Sequence, residues 1–179
     1  MLNDDTRLDE VWTGYQVALD CHRMAKKMAA RGEEAFLAKT VFVEMSLDQA
    51  EQSIDHSRHE LDNWVVLTLW AQFEHFLISY VREKGGLLSQ TRPEAFAAKL
   101  QDKFDREVGD WKRSEILDLF KGIVETDLIG QAKQIKEYRD WVAHKSRRRQ
   151  PSSRTSPKLA FEVLKAIIDK VRVVEDSLT

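Results

Sequence analysis

Trp64-Val-Val-Leu-Thr-Leu-Trp-Ala-Gln-Phe-Glu-His-Phe-Leu-Ile-Ser-Tyr-Val-Arg-Glu-Lys84 is the stretch whose reading decides the fold. Val66, Leu69, Trp70, Phe73, Phe76, Leu77, Tyr80 and Val81 recur at i, i+3 and i+4. That spacing lays apolar side chains along one side of an α-helix, so this side is expected to face a core. Gly85-Gly86 should stop the helix. Thr68, Gln72, His75 and Ser79 form a second, polar line at the same spacing, read as solvent-facing in preference to the lining of a cleft. These polar residues and Glu74 make the stretch too polar for a membrane span.

Working outward, a highly charged helical region leads into this stretch from about Ser46, with a break expected at Asp62-Asn63. An earlier helix is expected from a Thr6 cap to Arg31, before Gly32, with Leu8, Val11, Trp12, Tyr15, Leu19, Met24 and Met28 as its apolar positions. Between them, Glu33 to Lys39 reads as helical, and Thr40 to Val43 could be extended. Downstream, Pro93 is placed at the first position of a helix reaching Val108. Ser114 caps a short helix to Lys121. Thr126 or Asp127 caps a longer one to about Lys145, with Ile135, Tyr138, Trp141 and Val142 on its apolar side. A Ser-, Arg- and Pro-rich loop follows over 146–157. Pro157 opens a last helix through Leu164, Ile167, Ile168 and Val171.

Seven glycines, three prolines and little β-branched alternation support the same fold class: all-α, an antiparallel bundle of about four core helices with additional N-terminal and short helices. Residues 1–45 are expected to form an N-terminal helical extension packing on the core, and 46–179 the bundle itself.

Cys21 is the single cysteine, so no intrachain disulfide and no cysteine-based zinc site can form. Asp55, His56, His59 and Glu60 lie on one segment and are read as a solvated face, so no metal and no cofactor is expected. Met1 to Asp5 lacks the apolar run of a secretory signal, and a cytoplasmic location is expected. The five tryptophans are read as core or interface residues. Net charge is −2, yet Lys145, Arg147, Arg148, Arg149, Arg154 and Lys158 follow one another with no acid between them. A basic segment on an otherwise acidic chain points to a localised anion site.

That segment directly follows Arg139-Asp-Trp-Val-Ala-His144, the only Arg-x4-His in the chain. On a helix the two residues lie about 7.5 Å apart in rise and roughly 140° apart in rotation. Histidine exchanges a proton near neutral pH, and arginine offers a planar, permanently charged fork to phosphate. A base plus a fixed cation can cleave RNA through attack of its own 2′-OH on the adjacent phosphate. A purely structural reading also stands: Arg139 paired with Glu137 or Asp140, and His144 at the carbonyl end of its helix.

The segment resembles the R-x4-6-H motif of HEPN domains, in which the residue after the arginine is often Asn, Asp or His, and Asp140 fits. The resemblance covers 46–179, places the motif late in a long helix before a final one, and implies a helical bundle. It further implies a metal-independent endoribonuclease in a toxin–antitoxin or other defence setting, working as a homodimer whose two motifs line one cleft. By resemblance His144 would be base and acid, Arg139 would stabilise the transition state, and Asp140 would orient Arg139 or the helix. Glu74 would be the upstream acid, although a solvent-reaching carboxylate fits that position too. Lys145, Arg147, Arg148 and Arg149 would hold the RNA backbone, and an antitoxin or defence protein would be a further partner. Nucleotidyltransferase-paired members carry a tyrosine two residues after the histidine. Ser146 stands there, which puts regulation by tyrosine modification in doubt. The alternative is a non-catalytic HEPN-like module that binds RNA or protein.

Overall fold

A computed structural model describes residues 7–32, 37–144 and 154–177. Six α-helices are present among them: α1 Leu8–Arg31, α2 Leu47–Gly85, α3 Glu94–Glu107, α4 Arg113–Asp118, α5 Thr126–His144 and α6 Pro157–Ser177. Two short 3-10 turns, Gly86–Gln90 and Val108–Asp110, flank α3. The described residues contain no strand, only one isolated bridge between Lys121 and Val124. The fold is all-α, as its apolar spacing requires.

Helix α2 organises the molecule. Its 39 residues span roughly 58 Å at 1.5 Å per residue. Ser46 begins it as read: its hydroxyl accepts from the Gln49 amide while the Gln49 side chain accepts from the Ser46 amide, a reciprocal cap. The expected break at Asp62-Asn63 does not occur. Asp and Asn weaken helices when their side chains compete for nearby backbone groups. Here both are otherwise engaged: Asp62 accepts the Tyr15 hydroxyl at 2.6 Å, and Asn63 accepts the Tyr138 hydroxyl at 2.7 Å.

Every apolar residue read from the opening stretch as core-facing is buried, and of the polar line Thr68, His75 and Ser79 are exposed. Helix α1 runs antiparallel to α2, since Tyr15 meets Asp62, His22 meets Ser57 and Lys26 meets Asp55. Helix α5 packs on the C-terminal half of α2 through Tyr138 and Asn63, and α6 lies beside it through Tyr80 and Glu175. One continuous core joins Leu8 and Tyr15 of α1 to the apolar faces of α2, α5 and α6. A small second cluster, Ala29, Ala50 and Ile54, holds the far end of the α1–α2 pair.

Several local expectations are corrected. Thr40–Val43 forms turns rather than extended chain, with the Thr40 hydroxyl bonded to the Leu37 carbonyl. Met24 is 65% exposed because it lies off the side of α1 that meets α2; Trp64, read as core or interface, is 63% exposed and is not a core residue. Pro93 caps α3 from outside it, and α4 begins after Lys112, not Ser114. It stops at Asp118, before Gly122 turns the chain at φ 94°. The Thr6 cap and residues 33–36 lie outside the described residues.

Candidate functional site

Helices α2, α4 and α5 and the α3–α4 connector build a cleft of about 450 Å³ beside the main core. Helix α2 contributes Trp70 and Glu74, and α5 contributes Lys136, Arg139 and Asp140. The connector between α3 and α4 contributes Gly109 to Lys112, with Arg113 and Ser114 at the start of α4. Trp70 and Glu74 are one turn apart on α2, as are Lys136 and Asp140 on α5, so each pair points the same way. The connector is seated by aromatic packing. Phe104 lies over Gly85, where any Cβ would collide with its ring, and Phe104 meets Trp111 edge-on at 5.6 Å.

The Glu74 carboxylate is mostly covered and turned toward other side chains of the cleft. It accepts the Trp70 indole N–H at 3.0 Å and the Arg113 Nε–H at 2.5 Å, and its Oε2 lies 3.6 Å from Arg139 Nη2. Arg113 also donates to the carbonyls of Trp111 at 2.5 Å and Gly109 at 3.0 Å. Each of its three nitrogens therefore has an acceptor. On the other side, Arg139 Nη1 donates to Asp140 Oδ1 at 2.9 Å, and Lys136 Nζ donates to Asp140 Oδ2 at 2.6 Å. Burial opposes ionisation of Asp140, but the hydrogen bonds from Lys136 and Arg139 outweigh it and hold its carboxyl below the ordinary value of 3.8.

Of the residues singled out from sequence, Glu74, Arg139 and Asp140 are brought together. His144 is not in the cleft. It is exposed at the last position of α5, and its imidazole makes no hydrogen bond with a described residue. Because α5 is unbroken from Thr126 to His144, Lys136, Asp140 and His144 lie on one i, i+4 row. His144 is thus one turn beyond Asp140 at the end of that row, rotated by roughly 140° from Arg139. Lys145, Arg147, Arg148 and Arg149 lie outside the described residues, as does Ser146. Asp55, His56 and His59 are exposed on α2, and no group of ligating side chains able to hold a metal occurs among the described residues. No described helix is long and apolar enough to cross a membrane.

Sequence reading missed Arg113 and Lys136. The Lys136–Asp140 spacing was a usable signal, being the i, i+4 pairing of opposite charges. Nothing local marks Arg113: its acceptor Glu74 is 39 positions away, and only the docking of the α3–α4 connector brings them together.

The arrangement places a guanidinium between two carboxylates in an open cleft lined by four cations and three carboxylates. Such a site suits an anionic group, with arginine supplying a fork. Comparison of the chain with protein-family models, with curated proteins and with solved structures finds no match to any of them.

Proposed function

We propose that this chain is a metal-independent endoribonuclease of the HEPN type. The observation that carries the reading is the setting of Arg139: it is held by Glu74 and Asp140 in an open cleft, on the helix that ends at exposed His144. In the proposed reaction the His144 imidazole takes the proton of a 2′-hydroxyl, whose oxygen attacks the adjacent phosphorus. Arg139 stabilises the charge that builds on the phosphoryl oxygens. The bond to the 5′-oxygen breaks, an imidazolium returns a proton to that oxygen, and the ends left are a 2′,3′-cyclic phosphate and a 5′-hydroxyl. Asp140 and Glu74 orient Arg139 and take no proton. A homodimer would supply a second His144 to the same phosphate, so that one imidazole removes a proton while the other delivers one. Lys145, Arg147, Arg148 and Arg149 would hold the adjoining backbone. A cytoplasmic defence or toxin–antitoxin role, with an antitoxin or defence protein as partner, belongs to the same proposal.

Purified protein should cleave single-stranded RNA in the presence of EDTA and leave cyclic phosphate ends. His144→Ala should lower the rate at least a hundredfold, within the usual range for a lost general acid–base. Equal rates for both proteins would sink the assignment.

Two observations favour a second reading, a non-catalytic module that binds RNA or protein. His144 points away from Arg139 within a single chain, and Arg139 already has two carboxylate neighbours. Under that reading RNA binding survives His144→Ala, is lost when Arg147, Arg148 and Arg149 are neutralised together, and no cleavage accompanies it.

A further inference from the structure

The charged side chains of the cleft form an alternating chain: Lys136, Asp140, Arg139, Glu74, Arg113. Cations stand at both ends and Arg139 stands in the middle. The two carboxylates beside Arg139 could cancel its charge and occupy its fork, which would leave it useless to an anionic ligand. Each carboxylate, however, has a second cation of its own. Glu74 gives its closest contact to Arg113, at 2.5 Å, and accepts Trp70 as well, so Arg139 stays at ion-pair distance from it, 3.6 Å away. Asp140 divides its two oxygens between Lys136 and Arg139. Three cations over two carboxylates leave a surplus positive charge centred on Arg139. Among the described residues, Asp140 alone receives a hydrogen bond from the Arg139 guanidinium.

We propose that Arg113 and Lys136 are positioning residues that neutralise Glu74 and Asp140, so that Arg139 is aimed by two carboxylates yet keeps its charge for an RNA phosphate. The proposal rests on the reading of the cleft as a phosphate site. Arg113 makes the stronger case, because its side chain is 80% covered and its nitrogens are all turned to protein acceptors. Three of its five N–H donors are taken by protein acceptors, and the Nε–H is committed to Glu74, so its effect on binding is expected to pass chiefly through Glu74; the Glu74→Gln background separates this from a direct contact. Loss of Arg113 should let Glu74 close on Arg139 as a full hydrogen-bonded fork and withdraw it from the cleft. Loss of the Glu74 charge in the same protein should release it again.

The test uses a single-stranded oligonucleotide with 2′-O-methyl sugars, which cannot be cleaved, bound to the full chain over a series of salt concentrations. Arg113→Met should bind roughly tenfold more weakly than wild type, with the slope of log affinity against log salt reduced by about one, the signature of one lost phosphate contact. Arg113→Met combined with Glu74→Gln should recover to within about threefold of wild type, with the slope restored. A structural role alone predicts the opposite order, because the double variant has lost one more native interaction. The Trp70 indole N–H resonance reads Glu74 independently of RNA: it should shift in Arg113→Met, as the acceptor carboxylate moves. Lys136→Met should weaken binding, and Asp140→Asn in the same protein should restore it.

Wild type that fails to bind the oligonucleotide overturns the phosphate reading of the cleft. Wild type that binds, with Arg113→Met binding equally well or with no recovery in the double variant, overturns the role given to Arg113 and leaves that reading standing.

Discussion

The two halves of α2 are one helix in backbone and two regions in energy. From Leu47 to Asp62 only Ala50 and Ile54 are buried, against Ala29 of α1 and little else. From Asn63 to Gly85 ten residues are buried, including Trp70, Phe73, Phe76 and Tyr80. The first half is joined to α1 by exposed pairs such as Lys26–Glu51 and Lys26–Asp55, and the second half is surrounded by α1, α5, α6 and the α3–α4 connector. A good cap and good helix formers can extend a helix well past its core, but they do not give the extension comparable stability, because packing supplies most of it. The cleft lies against the second half alone. Glu74 can hold two arginines there because the backbone beneath it is fixed by Phe73 and Trp70, each essentially inaccessible to solvent.

That contrast can be broken by mutation. The largest effect is expected from Phe73→Ala, at about 3–5 kcal/mol in chemical denaturation, because the surrounding side chains from several helices cannot all collapse into the space. Ile54→Ala should cost about 2 kcal/mol, near the lower limit for such truncations, since its cluster is small and free to adjust. Ile54→Ala costing as much as Phe73→Ala would end the distinction between the halves.

Within the cleft, Asp140→Asn should destabilise by about 1 kcal/mol at pH 7, discounted for the partial exposure of its carboxylate. The sign with pH follows from the lowered carboxyl. A depressed folded-state value contributes stability above the ordinary value of 3.8 and loses it as pH falls through the lowered one. Wild type and Asp140→Asn should therefore converge in thermal melts as the pH is taken below 3.8. A gap that persists there would show that the loss came from packing instead of charge.

The smallest effect is expected on the first half of α2. Lys26→Ala removes two exposed ion pairs and should leave the denaturation midpoint close to that of wild type, because exposed pairs are screened by solvent. Hydrogen exchange sharpens the same point without mutation. Amides of Ala50 to Ile54 should open at lower free energy than those of Leu69 to Phe73.

The buried side of α2, the Ser46 cap and the cores of α5 and α6 were legible because helical period and capping are local properties of a chain. Arg139 and Asp140 were legible as a pair for the same reason: neighbours on one helix must be close. The Asp62-Asn63 step misled because two polar residues in a helix look like an interruption. Their partners, Tyr15 and Tyr138, are 47 and 75 positions away, and no local pattern announces a tyrosine hydroxyl waiting on another helix. Glu74 was singled out but its surroundings were not, since a carboxylate among apolar neighbours can as well turn outward.

By itself, then, the sequence determined an all-helical chain, the side of each long helix that is buried, and the adjacency of Arg139 and Asp140 on one helix. Only the tertiary structure decided that Glu74 and Arg113 meet across 39 positions, that Arg139 lies in their cleft, and that His144 stands one turn outside it. Helical periodicity specifies which side of a helix is apolar within a few residues. The partners of a charged side chain depend on how separate helices dock, which is set by the shape of the whole core.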